Sequence, residues 1–127
     1  MTKGAPEILI VEDDDSTRLL LETYVELAGY VSVSAKDGRV ALDMAKRYKP
    51  RLVVLDLMLP EIHGVGVCQA LKQNPDTRAA KVLIVSAKIF PADRRQAEES
   101  RADLFMSKPL DRDAFIGVLQ GLLGKNT

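Results

Sequence analysis

Acidic, basic and hydroxyl side chains follow four short apolar segments of this 127-residue sequence. Glu12 and Asp13 follow the first segment, Asp56 and Ser86 follow two later ones, and Lys108 follows the last. If the fold brings them together, the three carboxylates will repel one another unless a cation neutralises them. Oxygen ligands suit Mg²⁺, while a lysine and a hydroxyl can bind the oxygens of a phosphoryl group. The residue types therefore predict a magnesium-assisted phosphoryl site in which one carboxylate is the nucleophile.

The segments that precede these residues have the composition of β-strands. Three of the predicted strands are uninterrupted apolar runs rich in β-branched residues, which is typical of strands buried on both faces of a parallel sheet. Another run alternates apolar and polar residues, as an edge strand should, and a weaker one completes the set. The predicted strands are Ile8–Val11, 31–34, 52–55, 82–85 and 104–106. Ligands of open parallel sheets bind beyond the carboxyl ends of the strands, so the reactive residues should share one edge.

Helix-length segments separate these strands. Their signals are N-cap residues, apolar residues at helical spacing, and Gly or Pro at the ends. The first helix should be capped within residues 15–17 and should form its apolar face from Leu19, Leu20, Tyr24, Leu27 and Ala28. The predicted helices span 15–28, Gly38–Tyr48, 65–73, 91–101 and 111–123. Five alternations of strand and helix predict an α/β fold with a central parallel sheet and right-handed crossovers.

Composition and charge exclude several classes of protein. Eighteen basic and eighteen acidic residues give zero net charge, which argues against a nucleic-acid binder or a polybasic membrane anchor. The single cysteine, Cys68, cannot form an internal disulfide, and we expect it to be a small buried hydrophobe. No segment approaches the ~20 apolar residues of a membrane span. We therefore expect one cytoplasmic domain over residues 1–127, with its core at about 7–122 and no output domain.

Four motifs occur in an order that resembles a known family. They are Val11-Glu12-Asp13, the segment 55–60 followed by Gly64, Val85-Ser86-Ala87, and Lys108-Pro109. Each stands at a predicted strand end, and together they resemble the response-regulator receiver domains of bacterial two-component signalling, the CheY-like superfamily. The resemblance extends from about Glu7 to Leu122. It implies a flavodoxin-like fold, in which a five-stranded parallel sheet of order 2-1-3-4-5 lies between five helices.

The resemblance implies roles for the acidic residues. Asp56 would be the phosphoacceptor, taking a phosphoryl group from the phosphohistidine of a sensor histidine kinase or a phosphotransfer protein. Asp13 and Asp56 would bind Mg²⁺ directly together with the backbone carbonyl of Met58, and Glu12 would act through water. The protein would dephosphorylate itself but would not turn over an external substrate. We expect slow self-hydrolysis, because apolar Met58 cannot orient the attacking water whose path it flanks with Lys88.

The same resemblance assigns the remaining site residues. Ser86 and Lys108 would bind the phosphoryl oxygens, and the small side chain of Ala87 would leave room for them. A cis bond between Lys108 and Pro109 would hold the lysine in place. Ser86 and Phe105 would form the switch that responds to phosphorylation. Since Phe105 stands where tyrosine is usual, the switch would be read through packing and not through a phenolic hydroxyl.

Output would be a protein contact made by the fourth helix, fifth strand and fifth helix, with no direct nucleic-acid or membrane partner. Gly117 and Gly121 favour either close packing of the last helix or a flat patch for a partner or for a homodimer. A haloacid-dehalogenase-type magnesium phosphohydrolase is an alternative, but it needs an aspartate where Met58 stands. A receiver that binds partners without phosphorylation is a second alternative, disfavoured by the intact site. His63 should be an exposed loop residue.

Overall fold

The computed structural model describes residues 5–59, 63–87 and 91–124. Within these ranges the chain forms a parallel sheet in the order β2-β1-β3-β4-β5. The strands are β1 (Ile8–Val11), β2 (Ser32–Ala35), β3 (Leu52–Asp56), β4 (Lys81–Ser86) and β5 (Leu104–Ser107). The helices are α1 (Asp15–Leu27), α2 (Gly38–Tyr48), α3 (Gly64–Gln73), α4 (Pro91–Glu99) and α5 (Arg112–Leu123). The predicted α/β fold and strand order are confirmed, and no helix in these ranges is long and apolar enough to cross a membrane.

The sheet is buried on both faces, which explains the uninterrupted apolar runs. Because side chains alternate along a strand, each central strand contributes to two hydrophobic cores. Leu9 and its register partner Val53 belong to one core, and Ile10 and its partner Val54 belong to the other. Helices α2, α3 and α4 complete the first core, where Cys68 is buried as predicted, and α1 and α5 complete the second. The helices therefore lie in two layers, with the sheet between them.

Several element ends differ from the prediction by one or two residues. The edge strand β2 is half-exposed as expected, but it begins one residue later. Strands β3, β4 and β5 extend beyond the predicted ends, and their last residues are the polar Asp56, Ser86 and Ser107. Helix α4 ends at Glu99, two residues early, whereas α5 is capped by Asp111 as predicted. The extensions of β3 and β4 place Asp56 and Ser86 on the sheet itself.

The cap predicted for α1 is wrong, and its predicted apolar face is only partly correct, because Tyr24 and Ala28 pack against the core but the three leucines do not. Asp14 is the N-cap, and its carboxylate accepts a hydrogen bond of 2.8 Å from the Thr17 backbone N–H. Leu21 and Val25 face the core. The exposed fractions are 64% for Leu19, 43% for Leu20 and 62% for Leu27. The helix carries more leucines than one face can bury, and the sheet covers the stripe at 21 and 25.

The glycines of α5 do not pack against another part of the described chain. A Cβ atom placed at Gly117 or Gly121 would meet nothing within 4 Å. Close packing of the last helix at these positions is therefore a wrong expectation. The flat-patch alternative stays a prediction.

Candidate phosphoryl and metal site

The strand order brings the predicted site residues to one edge of the sheet. Asp56 ends β3 and Ser86 ends the neighbouring β4, while Glu12 and Lys108 lie one residue beyond β1 and β5. The Lys108 backbone N–H donates to the Ser86 carbonyl at 2.9 Å, which ties the end of β5 to the end of β4. The Lys108–Pro109 peptide bond is cis, as predicted. Parallel strands thus bring together residues that lie 96 positions apart in the sequence.

Three carboxylates form the acidic part of the site. Oxygen atoms of Glu12, Asp13 and Asp56 all lie within 4.8 Å of one another. The exposed fractions of Glu12 and Asp56 are only 1% and 5%, whereas Asp13 is exposed. A set of hard oxygen donors that is open to solvent on one side fits an ion that keeps part of its water shell, as Mg²⁺ does. These residues could therefore hold a divalent cation.

Lys108 is the cation that the site itself supplies. Its Nζ donates to Glu12 Oε1 at 2.7 Å and to Asp56 Oδ2 at 3.2 Å, and its side chain is largely buried. Burial alone would lower the pKa of Lys108, but the hydrogen bonds and charges of Glu12 and Asp56 outweigh it, so the pKa is raised. The lysine is therefore held in its charged form. Its shorter bond is to Glu12, so the lysine can exchange its bond to Asp56 without losing its anchor.

Glu12 and Asp56 meet different environments. Burial raises the pKa of Glu12 from its ordinary 4.5, the negative charge of Asp56 raises it further, and the hydrogen bond from Lys108 opposes both. Asp56 Oδ1 accepts a 3.2 Å hydrogen bond from the backbone N–H of Met58. Its carboxylate is thus held from two sides, by Met58 and by Lys108, at the end of a buried strand. That geometry suits a nucleophile with a fixed direction of attack.

The other predicted site residues lie around this centre. Ser86 is buried, and Ala87 is exposed immediately after it. The side chain of Met58 is exposed, and ligation of Mg²⁺ by its backbone carbonyl stays a prediction. Phe105 is half-buried against the core formed with α4, and the Arg94 guanidinium carbon lies 5.8 Å from its ring centroid. Pro60 and Lys88, which belonged to the predicted motif and to the self-hydrolysis hypothesis, lie outside the described residues.

Gly64 is a supporting residue whose role the sequence did not reveal. Its backbone N–H donates to the Leu57 carbonyl at 2.8 Å, which brings the start of α3 against the end of β3. A Cβ atom there would lie 2.3 Å from the Asp56 carbonyl oxygen and 2.6 Å from Leu57 Cα. Only glycine allows this close approach. His63 is exposed as predicted, and it also caps α3 by accepting a 3.3 Å hydrogen bond from Val65 N–H at Nδ1.

An apolar groove of about 340 Å³ borders the site. It lies between α1 and the segment that follows β5, and Lys108 and Ala87 stand at its edge. Leu20, one of the leucines left exposed on α1, contributes to its wall together with Leu110. The lining residues are Thr17, Leu20, Leu21, Ala87, Lys108, Pro109 and Leu110.

Known proteins with similar sequences include response regulators. A probable transcriptional regulator of Porphyridium aerugineum is 41% identical over 103 residues, which is 81% of this chain but only 42% of that protein. The polar-differentiation response regulator DivK of Brucella anthropi is 30% identical over 92% of this chain and 95% of its own length. The chain therefore spans less than half of one relative and nearly all of the other.

A solved structure shows the same fold. The receiver domain of a sensor histidine kinase from Pseudomonas aeruginosa matches 95% of this chain and 99% of its own with a TM-score of 0.87, at 23% identity. In that structure a magnesium ion is coordinated in the active site cleft. The family model of the response regulator receiver domain matches residues 8–120, which include every site residue described above. The chain belongs to the response regulator receiver domain family.

Proposed function

We propose that the protein is a phosphorylation-dependent signalling switch in which Asp56 accepts a phosphoryl group from the phosphohistidine of a sensor kinase or phosphotransfer protein. The observation that carries this proposal is the Asp56 carboxylate at a strand end, 3.2 Å from Lys108 Nζ and beside Glu12 and Asp13. Phosphohistidine donors are formed with ATP, which is available in the cytoplasm. We therefore propose that the reaction takes place there.

The transfer is a displacement at phosphorus. An Oδ atom of Asp56 attacks the phosphorus, the N–P bond of the donor breaks, and its electron pair stays on the imidazole nitrogen. Lys108 keeps its 2.7 Å bond to Glu12 and turns its contact with Asp56 toward a phosphoryl oxygen. Asp13 and Asp56 would hold Mg²⁺, with Glu12 acting through water, and the bound ion would neutralise charge on the carboxylates and the phosphoryl group. The Met58 carbonyl would be a further ligand.

The donor must bring its phosphorus to Asp56, so it must cover the surface that borders Lys108. The groove between α1 and the segment after β5 is that surface, and its walls are mostly apolar. Leu20 and Leu19 extend the apolar surface along α1. We therefore assign this groove to the phosphodonor protein. Burial of the exposed leucines would supply the affinity, and the neighbouring acidic site would supply the chemistry.

The switch runs from the phosphoryl group to α4 and β5. The Ser86 hydroxyl would bind a phosphoryl oxygen, with Ala87 leaving space for the group, and Phe105 would change its packing in response. Arg94 of α4 lies over the Phe105 ring, so a ring movement would alter a cation–π contact on the surface. The downstream partner would read this change on the face formed by α4, β5 and α5.

The protein is not expected to act on an external substrate. A phosphohydrolase that uses a strand-end aspartate needs a proton donor two residues later, and the exposed side chain of Met58 has none. The receiver family membership agrees with a signalling role.

Labelling by a small phosphodonor tests the proposal. Acetyl phosphate with Mg²⁺ should add one phosphoryl group per chain, EDTA should prevent it, and Asp56→Asn should abolish it. Asp43→Asn, which changes an exposed aspartate of α2, is the control and should be labelled like the wild type. Wild-type protein that gains no phosphoryl group, or a D56N variant that keeps its label, would show that the proposal is wrong.

A further inference from the structure

Arg18 is a partly buried residue in the first turn of α1. The exposed fraction of its side chain is 15%. Its Nη1 donates to the backbone carbonyl of Glu12 at 3.2 Å, and its Nη2 pairs with Asp15 Oδ1 at 2.5 Å. The guanidinium thus reaches back from the helix to the turn that carries Glu12 and Asp13.

The position of Arg18 is unfavourable for a positive charge unless other contacts compensate. A positive charge near a helix N-terminus is opposed by the helix dipole, and burial of a guanidinium requires compensating partners. Asp15 supplies one partner and holds the pKa of Arg18 above its ordinary value. An ion pair with Asp15 alone could form at the surface, because Asp15 is exposed. The contact with the Glu12 carbonyl is what draws the guanidinium inward.

Arg18 supplies one of the contacts that fix Glu12. The Glu12 backbone N–H donates to the Ala35 carbonyl at 3.0 Å. Its carboxylate accepts from Lys108 Nζ at 2.7 Å and from Asp14 N–H at 3.2 Å. The carbonyl bonded to Arg18 belongs to the peptide group that joins Glu12 to Asp13. The orientation of that peptide plane sets the direction in which the Asp13 side chain leaves the backbone.

We propose that Arg18 is a positioning residue for the carboxylate site. It fixes the Glu12–Asp13 peptide and so presets the Asp13 carboxylate for a divalent cation. The inference rests on the proposed function only for the identity of that cation as Mg²⁺. Partners that orient metal ligands in this way typically change metal affinity by about 10–100-fold when they are removed.

The metal affinity of Arg18→Met tests this inference without a phosphodonor. Mg²⁺ titrations by calorimetry should give a dissociation constant about tenfold weaker than that of the wild type. Arg112→Met is the matched control, because Arg112 also lies in a first helical turn and contacts the adjacent acid Asp113, at 3.2 Å, but is 60% exposed. The Mg²⁺ affinity of R112M should equal that of the wild type. An R18M affinity equal to the wild type, or tighter because a repelling charge was removed, would overturn the proposal.

A second readout does not depend on metal. In the metal-free protein, the backbone amide of Asp14 should exchange its hydrogen faster in R18M than in the wild type, because its acceptor Glu12 is less fixed. Unchanged exchange would contradict the proposal. If R18M does not fold, Arg18→Lys serves instead: it keeps the charge but loses the two-pronged geometry, so a several-fold loss of Mg²⁺ affinity supports positioning and wild-type affinity overturns it.

The outcomes separate this inference from the proposed function. A wild-type protein that binds Mg²⁺ but cannot be phosphorylated would contradict the proposed function and leave the role of Arg18 testable by the same titrations. A wild-type protein that is phosphorylated at Asp56, with R18M binding Mg²⁺ equally well, would contradict only the role of Arg18.

Discussion

Gly64, the first residue of α3, offers a prediction with a magnitude set by geometry. In Gly64→Ala the new Cβ atom would lie 2.3 Å from the Asp56 carbonyl oxygen and 2.6 Å from Leu57 Cα. Ordinary contacts begin near 3.4 Å, so the start of α3 must move away from β3 by about 1 Å. Both obstructing atoms belong to the backbone and cannot rotate aside.

The expected cost is near the upper end of what overpacking causes. Such changes usually destabilise by about 1–3 kcal/mol, and we expect G64A to lose about 3 kcal/mol of unfolding free energy. Urea titration followed by circular dichroism measures this loss. Because the new Cβ atom presses on the carbonyl of Asp56, any part of the strain that β3 takes up displaces the phosphoacceptor, and the rate of labelling by acetyl phosphate should fall as well.

Two glycines of α5 supply the matched control. A Cβ atom at Gly117 or Gly121 meets nothing within 4 Å, so alanine there gains helix propensity without a clash. Each change should stabilise the protein by about 0.5–1 kcal/mol. The reasoning is refuted if G64A unfolds within about 0.5 kcal/mol of the wild type, or if G117A and G121A lose as much stability as G64A.

Three further predictions concern charge, backbone strain and the donor surface. Burial raises the pKa of Glu12, so in EDTA the protonation of Glu12 should add to stability as the pH falls toward 4.5, and urea titrations should show the wild type gaining stability relative to Glu12→Gln over that range. Arg101 has a left-handed φ of 70°, so Arg101→Gly should raise the unfolding free energy by up to about 1 kcal/mol, and a decrease would contradict the strain. Leu20→Asp should slow transfer from a phosphohistidine protein by tenfold or more, and a tenfold change corresponds to a free-energy loss of about 1.4 kcal/mol. The rate of labelling by acetyl phosphate should be unchanged. Leu104→Asp, at an exposed position on β5, is the control. Equal slowing of phosphoryl transfer in both variants would show that the groove is not the binding surface of the donor.

The sheet and the core of the site follow from patterns that a sequence displays. Apolar runs without polar alternation indicate buried parallel strands, and the carboxyl ends of such strands meet at one edge. That reasoning predicts that Glu12, Asp56 and Lys108 lie together, and the hydrogen bonds that Lys108 donates to both carboxylates confirm it. The strand order depended on family resemblance, because spacing alone leaves several orders open.

The predictions of burial fail where the burial of a side chain depends on which neighbouring helix or strand covers it. Helix α1 has apolar side chains on several sides, so periodicity could not decide that Leu21 and Val25 would face the sheet while Leu19 and Leu27 stayed outside. Gly64 was visible only as part of a motif, since the approach of two backbones is a three-dimensional fact. Arg18 did leave a signal, as a cation in the first turn of a helix, where the helix dipole opposes it.

The central claim is that the carboxylate of Asp56 forms an acyl phosphate. The most direct measurement labels the protein with acetyl phosphate and Mg²⁺, reduces it with borohydride, and maps the product by tandem mass spectrometry. An aspartyl phosphate is reduced to homoserine, so the account predicts homoserine at position 56 and at no other aspartate. Homoserine at another position, or a phosphoryl group retained on a serine, would contradict the claim.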